Sequence, residues 1–222
     1  MKPGAPRYRG VVFDLDGTLL DSMPLVVRGL ALAVEPFRSR PDRREVMGSL
    51  GGPSEACLRR LLGGEAHVAA ALARYTEFLG RHEPLSRLFP GARKLVEDLH
   101  QAEIHLGLWT GRERSMTVAR LGALALDRCF PVLVCGDDLP SHKPDPAGLL
   151  RILAQWRLRP DEALFVGDSD QDLAGARAAG VPMVAIRHDR EVAPELLKHP
   201  VAVVETPPQA YAWVRAAVLG GQ

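Results

Sequence analysis

Apolar positions along the chain follow two kinds of pattern, and the later part of the sequence alternates between them. Short runs rich in Val, Ile and Leu are typical of strands buried on both faces, whereas apolar residues three or four apart are typical of amphipathic helices. Strands are predicted at 104–110, 131–136, 163–167, 182–187 and 201–205. Helices are predicted at 90–103, 113–124, 145–156, 172–180 and 208–219. This alternation predicts an α/β fold, with a parallel sheet core and helices on both faces.

A long helical stretch separates the first predicted strand, Gly10 to Asp14, from this alternation. Helical segments are predicted at 24–37, 41–50, 53–62 and 65–82, and no strand is predicted between residues 21 and 88. The last segment has apolar residues at helical spacing, namely Val68, Leu72, Tyr75, Phe78 and Leu79. We therefore predict an α/β core of residues 1–20 and 89–222, with an all-helical domain, residues 21–88, inserted after the first strand.

Composition excludes several classes of partner. The chain has 222 residues, a formal net charge of +1 and only 5% aromatic residues, so it offers neither a basic surface for nucleic acid nor a base-stacking platform. No apolar run approaches the roughly 18 residues of a membrane span, and we expect no signal segment and no membrane contact. Cys57, Cys129 and Cys135 lack metal-ligand spacing and are interpreted as reduced thiols, which favours a cytoplasmic location. The sequence indicates no oligomeric state.

Two carboxylates stand where the first strand ends, Asp14 and Asp16. Strand alternation would point both side chains to the same face of the sheet. Unit charges 4 Å apart repel by roughly 4 kcal/mol at an effective dielectric constant near 20. A metal ion, a lysine or a shared proton must therefore offset the repulsion, unless Asp16 is a solvated turn residue.

Complementary groups follow three later strands: Thr110 and Gly111, then Lys143, then Asp168 and Asp172. Ligands of open α/β sheets bind beyond the carboxyl ends of the strands, so these groups are expected to meet. Carboxylates, a hydroxyl and a lysine suit a hard divalent cation beside a phosphate. Each group alone also has a structural explanation, as a turn, an exposed lysine or a helix cap. Their combination at four strand ends favours a site.

The sequence resembles the haloacid dehalogenase-like superfamily of phosphotransferases. Four motifs carry the resemblance: DLDGTLLDS (14–22), Thr110 in WTGR, Lys143 in HKPDP, and GDSDQD (167–172). The helical insertion after the first motif is similar to that of the phosphoglycolate phosphatase and β-phosphoglucomutase group, where it caps the active site. The resemblance implies a Rossmann-like core with a helical cap.

The resemblance also implies roles for the acidic residues. Asp14 would be the nucleophile that forms an aspartyl-phosphate, and Asp16 the general acid and then the base for water. Asp14, the backbone carbonyl of Asp16 and Asp168 would hold Mg²⁺ as the cofactor. Asp172 would position the metal site or Lys143 without binding the metal directly.

Other groups would bind the transferring phosphoryl oxygens: the Thr110 side chain and the backbone N–H groups of Gly111 and Leu15. Lys143 would neutralise Asp14 and the phosphate. Phosphoryl transfer depends mainly on such positioning and charge neutralisation.

The leading hypothesis is a Mg²⁺-dependent phosphatase for a small phosphorylated metabolite. A mutase of the β-phosphoglucomutase type is the first alternative, and such mutases carry an arginine in a cap loop. The corresponding stretch here, residues 47–61, has glycines and Ser49 at that place. The nearby arginines that keep this alternative open are Arg43, Arg44, Arg59 and Arg60. A non-catalytic phosphate-binding module is the second alternative.

Four further positions refine the hypothesis. The superfamily's dehalogenases and phosphonate hydrolases lack an aspartate at the place of Asp16, so Asp16 indicates phosphate esters. The second motif is often followed by Asn or Ser and then a Lys, whereas here Thr110 is followed by Gly111 and Arg112, and we expect Arg112 to face solvent. Trp109 is expected to pack against the sheet, and His142 to be a bystander beside the site.

Overall fold

The structure is a computed structural model that describes residues 7–188, 192 and 194–220. Its strands are β1 Gly10–Phe13, β2 Leu20–Asp21, β3 Arg87–Leu88, β4 His105–Trp109, β5 Val132–Val134, β6 Ala163–Gly167, β7 Met183–Ile186 and β8 Ala202–Val204. Its helices are α1 Met23–Val34, α2 Arg43–Ser49, α3 Ser54–Leu62, α4 Val68–His82, α5 Ala92–Gln101, α6 Arg114–Ala123, α7 Ala147–Trp156, α8 Asp170–Ala179 and α9 Pro207–Leu219.

Six of the strands form one sheet in the order β5-β4-β1-β6-β7-β8, and every neighbouring pair is parallel. The central strand β1 pairs with β4 through Phe13 and Leu108, and with β6 through Phe13 and Val166. All these strands therefore end at the same edge. The predicted α/β class with a parallel, Rossmann-like sheet is confirmed.

Alternation along β1 explains why helices cover both faces of the sheet. Val11 and Phe13 are buried in a cluster that includes residues of α5 and α9, whereas Val12 between them is buried with residues of α7 and α8. Successive side chains of a strand point to opposite faces, so a strand that is apolar at every position needs a helical layer on each side.

Helices α1–α4, which we call the helical insertion, surround a hydrophobic cluster of their own that includes Leu30, Leu58 and Tyr75. Asp42 caps α2 by accepting the Glu45 N–H at 2.8 Å, and α3 ends at Gly63 in the left-handed conformation. The helical pattern predicted here is thus present. The domain boundaries at residues 21 and 88 stay a prediction.

A short strand pair corrects one expectation. Leu20–Asp21 pairs antiparallel with Arg87–Leu88 where the chain enters and leaves the helical insertion, although no strand was predicted between residues 21 and 88. Strands of two residues are too short to show an alternating pattern, so their sequence gives no signal.

Two remaining expectations concern compartment and membrane. The three cysteines are buried and none is in a disulfide. In the described part of the chain, no helix combines the length and apolar character that crossing a membrane requires.

Leu58 tests whether the cluster in the helical insertion stabilises the protein. Leu58 is fully buried, so Leu58→Ala should lower the free energy of unfolding by about 2–5 kcal/mol, because it leaves a cavity. Leu85→Ala is the matched control, since Leu85 is 66% exposed, and should change it by less than about 0.5 kcal/mol. Urea denaturation measures both. Equal effects would show that the cluster contributes nothing.

Candidate active site

The first two polar residues of the site, Asp14 and Thr110, directly follow β1 and β4. Asp14 follows β1, and its backbone N–H donates to the Val166 carbonyl of β6 at 2.9 Å. Thr110 follows β4, and its N–H donates to the Val134 carbonyl of β5 at 3.0 Å. These sheet hydrogen bonds continue the parallel ladder, so both side chains are presented at the carboxyl edge.

Lys143 lies between two of the aspartates. Its ammonium Nζ is 2.8 Å from Asp14 Oδ1 and 2.7 Å from Asp172 Oδ1. Burial lowers the pKa of Lys143, but the charges of Asp14 and Asp172 outweigh burial, and the net pKa is raised. Lys143 therefore stays protonated and neutralises part of the acidic charge.

Aromatic rings form the floor beneath this lysine. The Lys143 ammonium lies 4.9 Å from the centroid of the Trp109 ring and 5.4 Å from that of Phe165. Trp109 is buried and packs against Phe165, which confirms the prediction that it packs against the sheet. It also faces the ammonium, a contact that favours the charged lysine.

Asp172 organises the loop after β6. Its Oδ2 accepts the backbone N–H of Asp168 at 3.2 Å and that of Ser169 at 2.9 Å, and the Ser169 hydroxyl at 2.6 Å. The Ser169 hydroxyl in turn accepts the Asp172 N–H, so the two residues form a capping box at the start of α8. One carboxylate thus fixes both this loop and Lys143.

A cluster of carboxylates forms beside the lysine. One oxygen each from Asp14, Asp168 and Asp172 lies within 4.8 Å of the others. Burial raises the pKa of Asp14 well above its usual range; the charge of Lys143 lowers it and that of Asp172 raises it. Lys143 itself contacts two of the three carboxylates, Asp14 and Asp172. Carboxylate oxygens are the ligands that Mg²⁺ and Ca²⁺ prefer, so the residues fit a hard divalent cation.

Gly17 allows this cluster to form. Its φ is +84°, and a Cβ at this position would overlap the Asp168 carboxylate. The turn after Asp16 consequently needs glycine, both for its backbone conformation and for the close approach of Asp168.

Asp16 has a cation of its own, Arg112. The guanidinium Nε is 3.0 Å from Asp16 Oδ2, its Nη2 is 2.5 Å from Oδ1, and the Ser22 hydroxyl also donates to Oδ1. Burial raises the pKa of Asp16, but the Arg112 charge and these hydrogen bonds outweigh burial and lower it. The repulsion between Asp14 and Asp16 is thus offset by two different partners, Lys143 and Arg112.

The expectation that Arg112 faces solvent is wrong, because only 4% of its side chain is exposed. Desolvation of a guanidinium is costly unless a carboxylate receives it in good geometry, and Asp16 does so with both oxygens. The strand alternation expected through Asp16 also does not hold, since β1 ends at Phe13 and Asp16 lies in the following turn.

Two of the residues expected to hold the phosphoryl group, Thr110 and Gly111, lie at the cavity. The Thr110 hydroxyl accepts the Arg112 backbone N–H at 3.2 Å, and both Thr110 and Gly111 line the cavity described below. The Leu15 side chain is buried in the core, so Leu15 offers the site only its backbone.

A cavity of about 160 Å³ lies between the sheet edge and the helical insertion. Loop 50–54 covers it and contacts the core: the Gln171 amide donates to the Leu50 carbonyl at 2.9 Å, and Glu113 Oε1 accepts the Ser54 N–H at 3.1 Å. His142 packs against Gly52 of this loop and does not belong to the carboxylate cluster.

Sequence reasoning missed three residues that support the site: Ser22, Gln171 and His188. The His188 ring Nε2 is 2.6 Å from the Gly17 carbonyl oxygen and 4.0 Å from Asp168 Oδ2. Position relative to the strand ends was the usable signal, because His188 follows β7 closely. The contacts of Ser22 and Gln171 span turns and the helical insertion, so no local pattern reveals them.

The comparison with protein families settles the family. The model of the haloacid dehalogenase-like hydrolases matches residues 11–186, which include all four motifs. The chain belongs to the haloacid dehalogenase-like hydrolases.

Curated relatives of this hydrolase identify its enzyme class. Phosphoglycolate phosphatase 1 of Pseudomonas aeruginosa is 34% identical over 200 residues, which cover 84% of this chain and 74% of the relative. A phosphoglycolate phosphatase of Yersinia pestis is 33% identical over 189 residues and covers 81% of each chain. The hydrolase is a phosphatase.

Solved structures share its fold. A structure described as a predicted phosphoglycolate phosphatase of Haemophilus somnus has a TM-score of 0.84 at 23% identity, covering 95% of this chain and all of that one. A Thermotoga maritima protein assigned as a β-phosphoglucomutase has a TM-score of 0.73 at 25% identity, covering 93% and 98%. Because the Haemophilus somnus protein is only 23% identical to this chain, the comparison with it shows a shared fold and nothing more.

Arg112→Met tests the ion pair with Asp16. Removing the guanidinium leaves a buried carboxylate without its cation, so the free energy of unfolding near pH 7 should fall by about 3–5 kcal/mol. In the wild type the pKa of Asp16 is lowered, so its stabilising contribution is present above the ordinary Asp value of about 3.9 and lost below it. The loss in the variant should therefore be small below that value and grow as the pH rises through about 4 to its full size near neutral pH.

The matched control is Arg114→Met, since Arg114 also pairs with an aspartate, Asp138, but its side chain is 44% exposed. An exposed pair contributes less than about 1 kcal/mol. Urea denaturation in a chelating buffer compares the two variants. A loss in Arg112→Met that is small and independent of pH would contradict the assignment.

Proposed function

We propose that this phosphatase hydrolyses a small organic phosphate monoester, with Mg²⁺ as its cofactor and an aspartyl-phosphate on Asp14 as its intermediate. The observation that carries the proposal is the arrangement around Asp14: Lys143 at 2.8 Å, Asp168 and Asp172 within one carboxylate cluster, and a cavity that all four of these residues line.

Asp14 would supply the nucleophile. One of its carboxylate oxygens forms a bond to phosphorus while the ester P–O bond breaks, and the leaving oxygen takes a proton from Asp16. Water then attacks phosphorus with Asp16 as the base, which frees Asp14 and releases inorganic phosphate. Thr110 and the N–H groups of Gly111 and Leu15 would bind the equatorial oxygens, and Lys143 would balance their charge.

The ion pair with Arg112 bears on both proton transfers. It favours the ionised carboxylate of Asp16, which is the form needed to activate water in the second step. The first step needs Asp16 protonated. Entry of a phosphate beside Asp16 favours protonation, because a like charge raises the pKa of a carboxyl group.

Asp14, Asp168 and the backbone carbonyl of Asp16 would hold the metal, with Asp172 supporting the loop and Lys143. Bound there, Mg²⁺ supplies charge neutralisation and orientation of the phosphoryl oxygens. The grouping of three carboxylates within 4.8 Å of one another supports this assignment, since oxygen ligands of this kind suit a hard divalent cation.

The helical insertion gives no support for a mutase. None of the four arginines that kept this alternative open lines the cavity among the described residues. Arg60 donates hydrogen bonds to the backbone carbonyls of Ser49 and Gly51. Arg59 forms ion pairs with Glu55 and Glu65. Arg43 and Arg44 are exposed. Hydrolysis therefore remains the better supported reaction.

The size of the cavity supports a small substrate. Its volume, about 160 Å³, is below the roughly 300–1,000 Å³ of pockets for drug-sized ligands. The curated relatives are named for phosphoglycolate, itself a small phosphate ester.

Three carboxyl-to-amide variants test the catalytic assignment. With an aryl phosphate and Mg²⁺, Asp14→Asn should lose phosphate release by about a thousandfold or more, because the nucleophile is gone. Asp16→Asn should lose about 10²–10⁴-fold, as expected for a general acid and base. Asp21→Asn is the control in the same motif, since Asp21 is exposed, and should keep full turnover. Full turnover in Asp14→Asn, or none in the wild type, would refute the proposal.

Thermal unfolding tests the metal independently of activity. At a Mg²⁺ concentration 100-fold above its Kd, binding stabilises the folded state by about 2.7 kcal/mol. For a chain of this size that corresponds to a rise in Tm of about 5–10 °C. Asp168→Asn should lose most of this rise, whereas Asp170→Asn, an exposed neighbour, should keep it. A full Mg²⁺-dependent rise in Asp168→Asn would show that Asp168 is not a ligand.

A further inference from the structure

Two chemically different sets of residues line the cavity. Asp14, Lys143 and Asp168 belong to the set at the edge of the sheet. The second set, whose part of the cavity we call the apolar chamber, consists of Met23, Val26, Leu30, Met47, Leu79 and Met116. All of these except Met116 come from the helical insertion, and Met116 comes from α6.

We infer that the apolar chamber receives the alcohol part of the substrate, and that this part is a short aliphatic group without a negative charge. The inference rests on the proposed function, because it assumes that the phosphate binds beside Asp14. A substrate held there must extend its leaving group away from the sheet, and residues of the helical insertion line the same cavity.

Packing supports this use of the chamber. Leu30 and Leu79 belong to the hydrophobic cluster of the helical insertion, and Val26 and Met116 pack against that cluster. Met23 and Met47 line the cavity but do not belong to any of the three clusters of the described residues. Both are half-buried, and their flexible thioether side chains suit contact with a small apolar ligand.

Charge argues against an anionic leaving group such as a carboxylate. In the described residues, the cations that line the cavity are Arg112 and Lys143, and both already hold carboxylates. Glu113 adds a negative charge at the cavity wall. A leaving-group carboxylate would be desolvated without a cation to receive it, which is strongly unfavourable.

The polar atoms of the helical insertion do not change this balance. Ser54, Cys57 and Tyr75 line the cavity, but hydroxyl and thiol groups provide no positive charge. Burial raises the pKa of the Tyr75 phenol and of the Cys57 thiol, so both are neutral near pH 7. They tolerate an uncharged group and do not neutralise an anionic one.

A pair of substrates with the same shape tests the inference. Isobutyl phosphate and 2-phosphoglycolate have the same branched outline beyond the ester oxygen, but one ends in two methyl groups and the other in a carboxylate. An aryl phosphate serves as the reference for turnover. We expect kcat/KM for isobutyl phosphate to exceed that for 2-phosphoglycolate by about tenfold or more.

Equal or better turnover of 2-phosphoglycolate would overturn the inference, since Arg112 would then have left Asp16 to bind the carboxylate. Turnover of the aryl phosphate without a preference for isobutyl phosphate would overturn the inference and leave the proposed function intact. No turnover of any of the three would overturn both.

Met47 provides the matched variants. Met47→Lys places an ammonium group at the chamber, so the ratio of kcat/KM for 2-phosphoglycolate to that for isobutyl phosphate should rise about tenfold or more. Met47→Leu keeps the chamber apolar and should keep the wild-type ratio. Because both kcat/KM values come from the same preparation of one variant, their ratio does not depend on how much of the enzyme is folded. The same ratio in all three proteins would show that the leaving group does not enter the chamber, and Met23→Lys repeats the test from α1.

Discussion

The balance of charge around Asp14 is the constraint on which the rest of the site depends. Asp14 is buried among other carboxylates, and among the described residues Lys143 is the cation that lies within hydrogen-bond distance of it. Lys143 also pairs with Asp172, so two carboxylates share one positive charge. Such a site suits a divalent cation, and it suits the proposed step in which Asp14 would lose negative charge by bonding to phosphorus.

Asp16 has a counter-charge of its own, Arg112. Arg112 and Ser22 hold its carboxylate, so Asp14 and Asp16, only two residues apart, have different partners and different pKa directions. Two neighbouring carboxyl groups whose environments move their pKa values in opposite directions are suited to two roles, nucleophile and proton carrier. Loop 50–54 of the helical insertion covers this arrangement, and the Gln171 amide of the core donates a hydrogen bond to the Leu50 carbonyl of that loop.

Local patterns predicted much of this molecule, because the strands are continuous apolar runs and their ends share one edge of the sheet. Asp14, Lys143 and Asp168 were placed together by that rule and do lie together. Arg112 was misplaced, since an arginine after a strand is usually solvated and only its partner Asp16, 96 positions earlier, reveals its burial. The apolar chamber could not be predicted from the sequence either, because a methionine at helical spacing gives the same pattern whether its side chain faces a core or a cavity.

In the proposed mechanism, Asp14 itself carries the phosphoryl group during turnover. Acid quenching of the enzyme during steady-state turnover with Mg²⁺ and an aryl phosphate, followed by mass spectrometry of its peptides, tests this claim most directly. We predict one added phosphoryl group on the peptide that contains Asp14, which disappears when the substrate is exhausted. A phosphoryl group on any other residue, or turnover with no phosphorylated peptide under conditions that preserve acyl phosphates, would contradict it.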